Sequence, residues 1–385
     1  MGLSFEFTTS SRIVFGRGSA LKVSDLIRGK GNRVFLVTGR NADRFRFVRD
    51  LLINEGFEVS LFSVESEPTT GIISYGIASA RENNCDVVIG IGGGSVIDSA
   101  KAIAALVPDK GSLTDYLEVI GEGRELEANP LPYIALPTTS GTGAEVTKNA
   151  VIKSPENRVK VSLRSPLMFP DIAVIDPELA VTMPPGITAS SGMDALTHLF
   201  ETFVSNQSNP FIDALCREGM QRISSSLKKA FKNGNDIEAR EDMAFASMLG
   251  GMALANVKLG AVHGFAGPMG GMFPVSHGVV CAAILPAVTE VNLKVISEKK
   301  LARYLAKYDE AARILTGNPE AKAQDGIKWL KELMQYIKIP FLSEFNIDKA
   351  EFSSLVQKAK KASSMKGNPV VLSDEDMMEI LERSF

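Results

Sequence analysis

All three histidines of this 385-residue chain lie in the segment from Asp194 to His277. Asp194 and His198 are four residues apart in a segment that continues apolar. A helix would therefore place both side chains on one face, one turn apart. A carboxylate and an imidazole in this arrangement can share one cation.

His263 and His277 are separated by a Gly- and Pro-rich apolar run, which we expect to turn the chain back and bring the two imidazoles together. The candidate metal site is Asp194, His198, His263 and His277. Three nitrogens and one carboxylate oxygen suit Fe(II), Zn(II), Mn(II) or Co(II), and the absence of sulfur argues against a purely structural zinc site. Any one of these histidines alone is more simply a core or surface residue, but the four residues together favour a metal.

Two types of pattern divide the chain. Short apolar runs alternate with helix-like segments from about residue 12 to 180, with strands expected at 33–38, 58–62, 86–91 and 131–136 and helices near 42–55 and 71–83. This alternation predicts parallel strands with crossover helices. Helical periodicity dominates afterwards, with helices expected near 188–203, 210–229, 237–255, 277–294, 298–316, 321–337, 349–361 and 373–383.

The predicted fold class is therefore an α/β N-terminal dinucleotide-binding domain with a parallel sheet, plus an all-α C-terminal metal-binding domain. Two domains are expected, because the length exceeds what one hydrophobic core usually supports. The change of pattern after Pro184 and Pro185 places them at residues 1–184 and 185–385. The active site is expected in the cleft between them.

A glycine-rich turn is the first candidate for phosphate binding. Gly92, Gly93, Gly94 and Ser95 follow a predicted strand and open a predicted helix, which also carries Asp98. Their backbone N–H groups can approach an anion at the positive end of that helix. The stretch is neither the spaced-glycine dinucleotide fingerprint nor a P-loop. A merely tight turn is the simpler alternative, but the context favours binding.

A second polar loop follows the next predicted strand and offers another wall for a cofactor. It contains Thr138, Thr139, Ser140 and Thr142, at the same carboxyl edge of the sheet. Lys160 is a candidate contact for a ribose or carboxamide group, although a lone lysine is usually solvated.

Composition excludes several classes of function. The formal net charge of −3 gives no general attraction to nucleic acid or to an anionic membrane. Three widely spaced cysteines fit free thiols in a reducing compartment better than a disulfide framework. We see neither a signal peptide nor an apolar run long enough to span a bilayer, so the cytoplasm is expected.

These motifs together resemble the iron-containing (group III) alcohol dehydrogenases over nearly the whole length. The resemblance depends on the segments 92–101, 137–147, 176–179 and 192–198 and on the block from His263 to His277. It implies NAD or NADP as cofactor, Fe2+ (with Zn2+ as an alternative) at Asp194, His198, His263 and His277, and a homodimer. The family includes alcohol and diol dehydrogenases, aldehyde reductases, glycerol dehydrogenase and metal-independent maleylacetate reductases; the intact ligand set argues against the last.

The implied function is metal-dependent interconversion of a small alcohol with its aldehyde or ketone, by hydride transfer with a nicotinamide dinucleotide. Two other classes remain open at this stage. A sugar-phosphate cyclase resembling dehydroquinate synthase should show more basic residues near the metal ligands. A non-catalytic nucleotide-binding protein would not need a coherent metal set.

At two positions this chain differs from many members of the family. Many members carry a further histidine where this chain has Gly267, so the proton path lacks that imidazole here. NAD-preferring members often carry aspartate where Gly39 stands, and Gly39-Arg40-Asn41 is followed by Arg44. We therefore expect NADP(H) to be preferred, with Gly39, Arg40 and Asn41 near the ribose; solvated surface arginines are the alternative.

Overall fold

The computed structural model describes residues 4–385, which form two compact units. The α/β unit contains Thr8–Thr139 and Gly143–Val181. The helical unit contains Thr182–Phe385, residues 4–7 and the short segment Ser140–Thr142. The second polar loop therefore belongs partly to each unit.

A six-stranded parallel sheet forms the centre of the α/β unit, and a two-stranded antiparallel hairpin accompanies it. The strand order is β1-β8-β5-β4-β2-β3 in the sheet and β6-β7 in the hairpin. The strands are β1 (Arg12–Phe15), β2 (Arg33–Gly39), β3 (Glu58–Val64), β4 (Val87–Gly92), β5 (Tyr133–Pro137), β6 (Asn149–Ser154), β7 (Val159–Arg164) and β8 (Ile172–Ile175).

Strand β2 shows why the sheet is buried on both faces. Val34 and Leu36 pack into one apolar cluster, whereas Phe35 and Val37 pack into another, as the two-residue period of a strand requires. Helices on both faces exclude water from the sheet. These helices are α1 (Val23–Ile27), α2 (Arg46–Asn54), α3 (Thr70–Glu82), α4 (Gly94–Leu106) and α5 (Leu113–Tyr116).

The helical unit continues to the C-terminus. Its helices are α6 (Pro185–Val204), α7 (Pro210–Lys232), α8 (Ile237–Asn256), α9 (Ala261–Met272), α10 (His277–Glu298), α11 (Ala302–Thr316), α12 (Ala323–Tyr336), α13 (Phe352–Lys361) and α14 (Asp374–Arg383). The predicted fold class, a parallel α/β part followed by an all-helical part, is confirmed. The hairpin β6-β7 and the four-residue strands β1 and β8 were not predicted.

Helix α9 corrects one expectation. We expected the Gly- and Pro-rich run after His263 to be a turn, but it is helical to Met272, with Pro268 inside the helix. The chain turns only afterwards, between Phe273 and Ser276. Glycine allows close packing here: a Cβ at Gly264 would lie 2.7 Å from Met365 Cε. Burial therefore outweighs the low helix propensity of glycine.

Helix α10 is an exception to the expectation that no apolar run is long enough to span a bilayer. It is long and apolar enough to cross a membrane by length and composition alone. Most of it is buried within the protein, however, and the core helices of soluble proteins meet the same criteria. This helix is therefore only weak evidence for a membrane span.

Candidate functional site

Helix α6 carries the first two candidate metal ligands. Asp194 and His198 are both buried, and His198 Nε2 lies 3.9 Å from Asp194 Oδ1. Gly192 allows α7 to pack closely beside them, since a Cβ at this position would lie 2.4 Å from Leu227 Cδ1. The predicted placement of the two side chains one turn apart on a helix is what the structure shows.

Helices α9 and α10 bring the other two imidazoles to the same carboxylate. His263 Nε2 lies 3.5 Å and His277 Nε2 3.6 Å from Asp194 Oδ1. Close helix packing places His277 there, because a Cβ at the adjacent Gly278 would come within 2.5 Å of the Ser190 carbonyl oxygen. All four predicted side chains are therefore close together in the helical unit.

The unpaired oxygen of Asp194 tests whether these residues fit a metal. Asp194 Oδ1 is buried and has no hydrogen-bond partner in the described part of the chain, yet three imidazole nitrogens face it. An uncompensated buried carboxylate is costly, and a shared cation would remove the cost. The His277 side chain is 35% exposed, so solvent reaches one side of the cluster. The donor set fits a divalent ion.

The ionisation of the cluster is strongly perturbed. Burial lowers the pKa of His198 to about 4, with a further lowering from the nearby His263. Burial alone would raise the pKa of Asp194, but the three imidazoles hold it well below its usual value. Asp194 therefore remains an anion in a buried site, where it attracts a cation.

Glu201 is a functional residue that the sequence analysis missed. Its Oε2 lies 2.7 Å from His263 Nδ1, and its two oxygens accept the backbone N–H groups of Val262 and His263 at 2.7 and 3.3 Å. A carboxylate on Nδ1 fixes the proton there and leaves Nε2 free to ligate a metal. Glu201 follows His198 by three residues on the same helix, a spacing that could have revealed it.

Cys281 corrects the expectation that the site contains no sulfur. Its Sγ lies 3.6 Å from His277 Nε2 and 3.7 Å from His263 Nε2, and the side chain is fully buried. Burial raises the pKa of the Cys281 thiol to about 12. Cys281 follows His277 by four residues, so helical spacing was the signal that could have found it.

The carboxyl ends of β2 and β4 form the predicted dinucleotide edge of the α/β unit. These strands are neighbours, but β3 lies on one side of the pair and β5 on the other. Connections therefore leave in opposite directions at this point, which is where open α/β sheets bind ligands. Gly39 ends β2 and Gly92 ends β4, so both candidate segments lie at this point.

Close contacts join the loops at this edge. A Cβ at Gly39 would lie 3.8 Å from Val96 in the first turn of α4, and one at Gly93 would lie 3.3 Å from Thr139 Cγ2. The Thr138 N–H donates to the Gly92 carbonyl at 2.9 Å. The structure thus brings together part of the predicted cofactor set, namely Gly39, Gly92, Gly93, Gly94, Ser95, Thr138 and Thr139.

Other predicted cofactor residues have partners of their own. Lys160, on β7, forms a 2.5 Å ion pair with Glu67. Asp98 accepts the Val151 N–H at 3.0 Å. Ser140 and Thr142 lie in the segment grouped with the helical unit.

The two arginines after β2 have different partners. Arg40 is exposed and its guanidinium lies 3.4 Å from the Glu65 carbonyl oxygen, whereas Asn41 precedes a short 3-10 turn. Arg44 donates instead to the Leu179 carbonyl at 2.9 Å, and partial burial lowers the pKa of its guanidinium. The Arg44 guanidinium therefore already has a backbone partner, the Leu179 carbonyl.

Lys101 is a buried cation that the sequence analysis did not single out. Its Nζ donates to the Ala144 and Asn149 carbonyls at 2.7 and 2.8 Å and to Thr147 Oγ1 at 2.9 Å. Burial lowers its pKa to about 8 and raises the pKa of Asp98 to about 6. This cluster ties α4 to the hairpin, so its geometry supports the fold around the glycine-rich turn.

Comparisons with known proteins agree with this geometry. The family model described as "Iron-containing alcohol dehydrogenase" matches residues 10–177, and "Fe-containing alcohol dehydrogenase family, C-terminal" matches residues 188–385. The NADPH-dependent butanol dehydrogenase of Clostridium saccharobutylicum is 35% identical over 389 residues, covering 98% of this chain and 97% of that protein. The NAD-dependent methanol dehydrogenase of Bacillus methanolicus is 30% identical over 386 residues, covering 96% and 97%.

A solved structure is similar over the full length. The alcohol dehydrogenase from Oenococcus oeni has a TM-score of 0.91 and 29% sequence identity, covering 99% of this chain and 100% of that one. The resemblance to a sugar-phosphate cyclase is not favoured by these matches. The chain belongs to the iron-containing alcohol dehydrogenase family, oxidoreductases that interconvert alcohols and aldehydes.

Proposed function

We propose that Asp194, His198, His263 and His277 hold one divalent iron ion, at which a small uncharged alcohol or aldehyde reacts with NADP(H). The observation that carries this proposal is the unpaired Asp194 Oδ1, with three imidazole nitrogens 3.5–3.9 Å away. Imidazole and carboxylate ligands suit Fe(II) and also Zn(II).

The residues of the proposed site have different chemical roles. When bound, iron supplies Lewis acidity, which lowers the pKa of an alcohol hydroxyl or polarises a carbonyl. Asp194 offsets part of the positive charge, and Glu201 holds the His263 ring in the orientation and tautomer that ligation needs. Burial of His198 and His263 keeps water from most of the cluster, which strengthens electrostatic interactions inside it.

The segment between His263 and His277 supports a proposal for the substrate class. Residues 264–276 contain no charged side chain. A phosphorylated or carboxylated substrate would need a nearby cation to offset its charge. The apolar segment therefore supports a short, uncharged alcohol or aldehyde, in line with the butanol and methanol named for two relatives.

The cofactor proposal depends on the edge formed by β2 and β4. The backbone of Gly92–Gly94 and the N-terminus of α4 offer N–H groups to a pyrophosphate. At the ribose, Gly39 presents no carboxylate and Arg40 is exposed, which supports NADP(H) over NAD(H). Ser140, Thr142, Lys160 and Asp98 remain candidate contacts.

The proposed cellular setting is the cytoplasm. The three cysteines are free thiols, as expected for the reducing cytoplasm. A homodimer remains the expectation from the family resemblance.

The metal proposal is tested by elemental analysis of purified protein and of two variants. We expect about one divalent ion per chain in the wild type, and a sharp loss of occupancy in His263→Ala and in His277→Ala, because each removes a ligand. Circular dichroism should show unchanged helix content, which separates ligand loss from unfolding. Chelation should abolish alcohol oxidation, and Fe(II) should restore it. Unchanged occupancy in both variants would contradict the assigned ligand set.

A further inference from the structure

Cys281 lies one turn after His277 on α10 and is fully buried beside two of the proposed metal ligands. Its sulfur is almost equally distant from His277 Nε2 and His263 Nε2, at 3.6 and 3.7 Å. A thiol has one proton to donate and its sulfur is only a weak acceptor, so two imidazole nitrogens at these distances are poorly served by hydrogen bonds alone. A cation shared by the sulfur and both nitrogens fits the two contacts as well.

The donor atoms have the separations of ligands around one ion. One atom each from Asp194, His263, His277 and Cys281 lies within 4.8 Å of every other. His198 is not in this group, but its Nε2 lies 3.9 Å from Asp194 Oδ1. Tetrahedral zinc places nitrogen and oxygen ligands about 3.4 Å apart and nitrogen and sulfur about 3.6 Å apart. The observed values are 3.5–3.6 Å and 3.6–3.7 Å.

The unpaired Asp194 Oδ1 is an independent indication of a ligand. It is buried without a hydrogen-bond partner in the described part of the chain, and Asp194 belongs to the same group of four residues as Cys281. Cys216 provides the contrast: it is equally buried, but its sulfur lies 3.2 Å from the Thr202 hydroxyl, an ordinary partner for a core thiol. Burial alone does not explain the surroundings of Cys281.

We propose that Cys281 is a further ligand, as a thiolate, of the ion that Asp194, His198, His263 and His277 are proposed to hold. The inference rests on the proposed metal site and extends its donor set to sulfur. On binding, the S–H bond breaks, a sulfur–metal bond forms and the proton leaves to the buffer, so no atom is oxidised or reduced. Because thiolate is a soft ligand, the site favours Zn(II) or Co(II) more than nitrogen and oxygen ligands alone would.

Cobalt substitution tests the sulfur ligand directly. Metal-free protein is titrated with Co(II), and the near-ultraviolet spectrum is recorded for the wild type, Cys281→Ser and the matched control Cys216→Ser. We expect a thiolate-to-cobalt charge-transfer band in the wild type and in Cys216→Ser, and its loss in Cys281→Ser. Chelator competition should show Zn(II) affinity about a hundredfold lower in Cys281→Ser, at least the loss seen when an outer partner of a ligand is removed.

The outcomes separate this inference from the proposed function. Wild-type protein that binds one Co(II) per chain without the band overturns the role of Cys281 and leaves the metal site standing. A band that persists in Cys281→Ser overturns it as well. Wild-type protein that binds neither Co(II) nor Zn(II) overturns both the metal site and its sulfur ligand. Because the wild-type spectrum decides the question, a poorly folded variant does not obscure the result.

Discussion

In the proposed cofactor site, the absence of a side chain at Gly39 determines which charges would meet the ribose. We expect Gly39→Asp to shift preference from NADPH toward NADH, because a carboxylate repels a 2′-phosphate and accepts hydrogen bonds from a 2′-hydroxyl. The backbone there tolerates a side chain, since a Cβ would make only an ordinary 3.8 Å contact with Val96. The ratio of kcat/KM for the two cofactors should change about tenfold or more.

Arg40→Ala is the companion to that variant. It should weaken the binding of NADPH and leave the binding of NADH nearly unchanged, because only NADPH has the 2′-phosphate that the guanidinium can contact. Arg44→Ala should have no selective effect, since Arg44 is bound to the Leu179 carbonyl. A wild type that prefers NADH would show the NADP(H) proposal to be wrong.

Gly267 leaves open space one helical turn after His263. No atom lies within 4 Å of a Cβ built at this position, so a larger side chain can be accommodated there. We expect Gly267→His to change the pH dependence of kcat, because a positioned imidazole can carry protons and contribute roughly a hundredfold. Gly267→Gln is the control for bulk and polarity. An identical pH profile in the metal-loaded histidine and glutamine variants would exclude a proton-transfer role.

Single residues show what the sequence could and could not reveal about the site. Asp194, His198, His263 and His277 could be found because histidine is rare here and two of the four share a helical spacing. Glu201 and Cys281 carry the same kind of spacing. Acidic residues are frequent in this chain, however, and a buried cysteine is usually a small core residue, so spacing alone does not select either. Contacts across helices, which the sequence does not encode locally, identify both.

Helix α9 shows that local sequence can also mispredict a whole secondary-structure element. Its glycines and Pro268 predict a turn by local propensity, yet it is a helix buried against its neighbours. Its first turn is held by side chains remote in sequence: Glu201 accepts the Val262 and His263 N–H groups, and Asn368 accepts that of Ala261 at 3.2 Å. These partners occupy donors that a helix N-terminus otherwise leaves unpaired.

We predict that Glu201→Gln lowers metal affinity about 10- to 100-fold while α9 remains folded. An amide can still accept a backbone N–H, but its NH₂ group faces His263 Nδ1 and favours the tautomer with the proton on Nε2, which cannot ligate. Chelator competition with Zn(II) or Co(II) measures the affinity, and circular dichroism the helix content.

Asn368→Ala is the matched control for that measurement. Asn368 caps the same helix end and binds the Asn292 side chain, but its hydrogen bonds in the described part of the chain do not involve His263. It should lower the free energy of unfolding by about 1–3 kcal/mol, because buried partners lose their hydrogen bonds. An equal loss of metal affinity in both variants would mean that Glu201 acts only through the stability of α9.

The architecture of the whole molecule was largely predictable, since periodicity indicates parallel strands first and helices afterwards. The hairpin β6-β7 and its attachment to α4 were not. That attachment uses Lys101, a residue type that is usually on the surface. It groups Lys101 with the buried carboxyl group of Glu145 and the partly buried one of Asp98. Such a cluster requires long-range packing, because isolated ionisable side chains are rarely buried.

Glu145 makes the stability of the whole molecule depend on pH. Burial raises its pKa from 4.5 to about 7, although Lys101 and a backbone N–H oppose the rise. A carboxyl group whose folded pKa exceeds its unfolded value stabilises the fold while protonated, and this contribution is lost as pH rises from about 4.5 through about 7. At pH 8 the wild type therefore bears the cost of a buried carboxylate that is absent at acidic pH.

We predict that Glu145→Gln is more stable than the wild type at pH 8 by up to about 3 kcal/mol, and that the difference disappears near pH 5. Glutamine has the same size and stays neutral, so the side chain at position 145 changes ionisation in this interval only in the wild type. Urea unfolding of metal-free protein at both pH values measures the free energies without a contribution from metal binding. Glu82→Gln, at an exposed position on α3, is the control and should not alter the pH dependence. A Glu145→Gln variant that is less stable than the wild type at both pH values would show that Glu145 is ionised throughout and held by its attraction to Lys101.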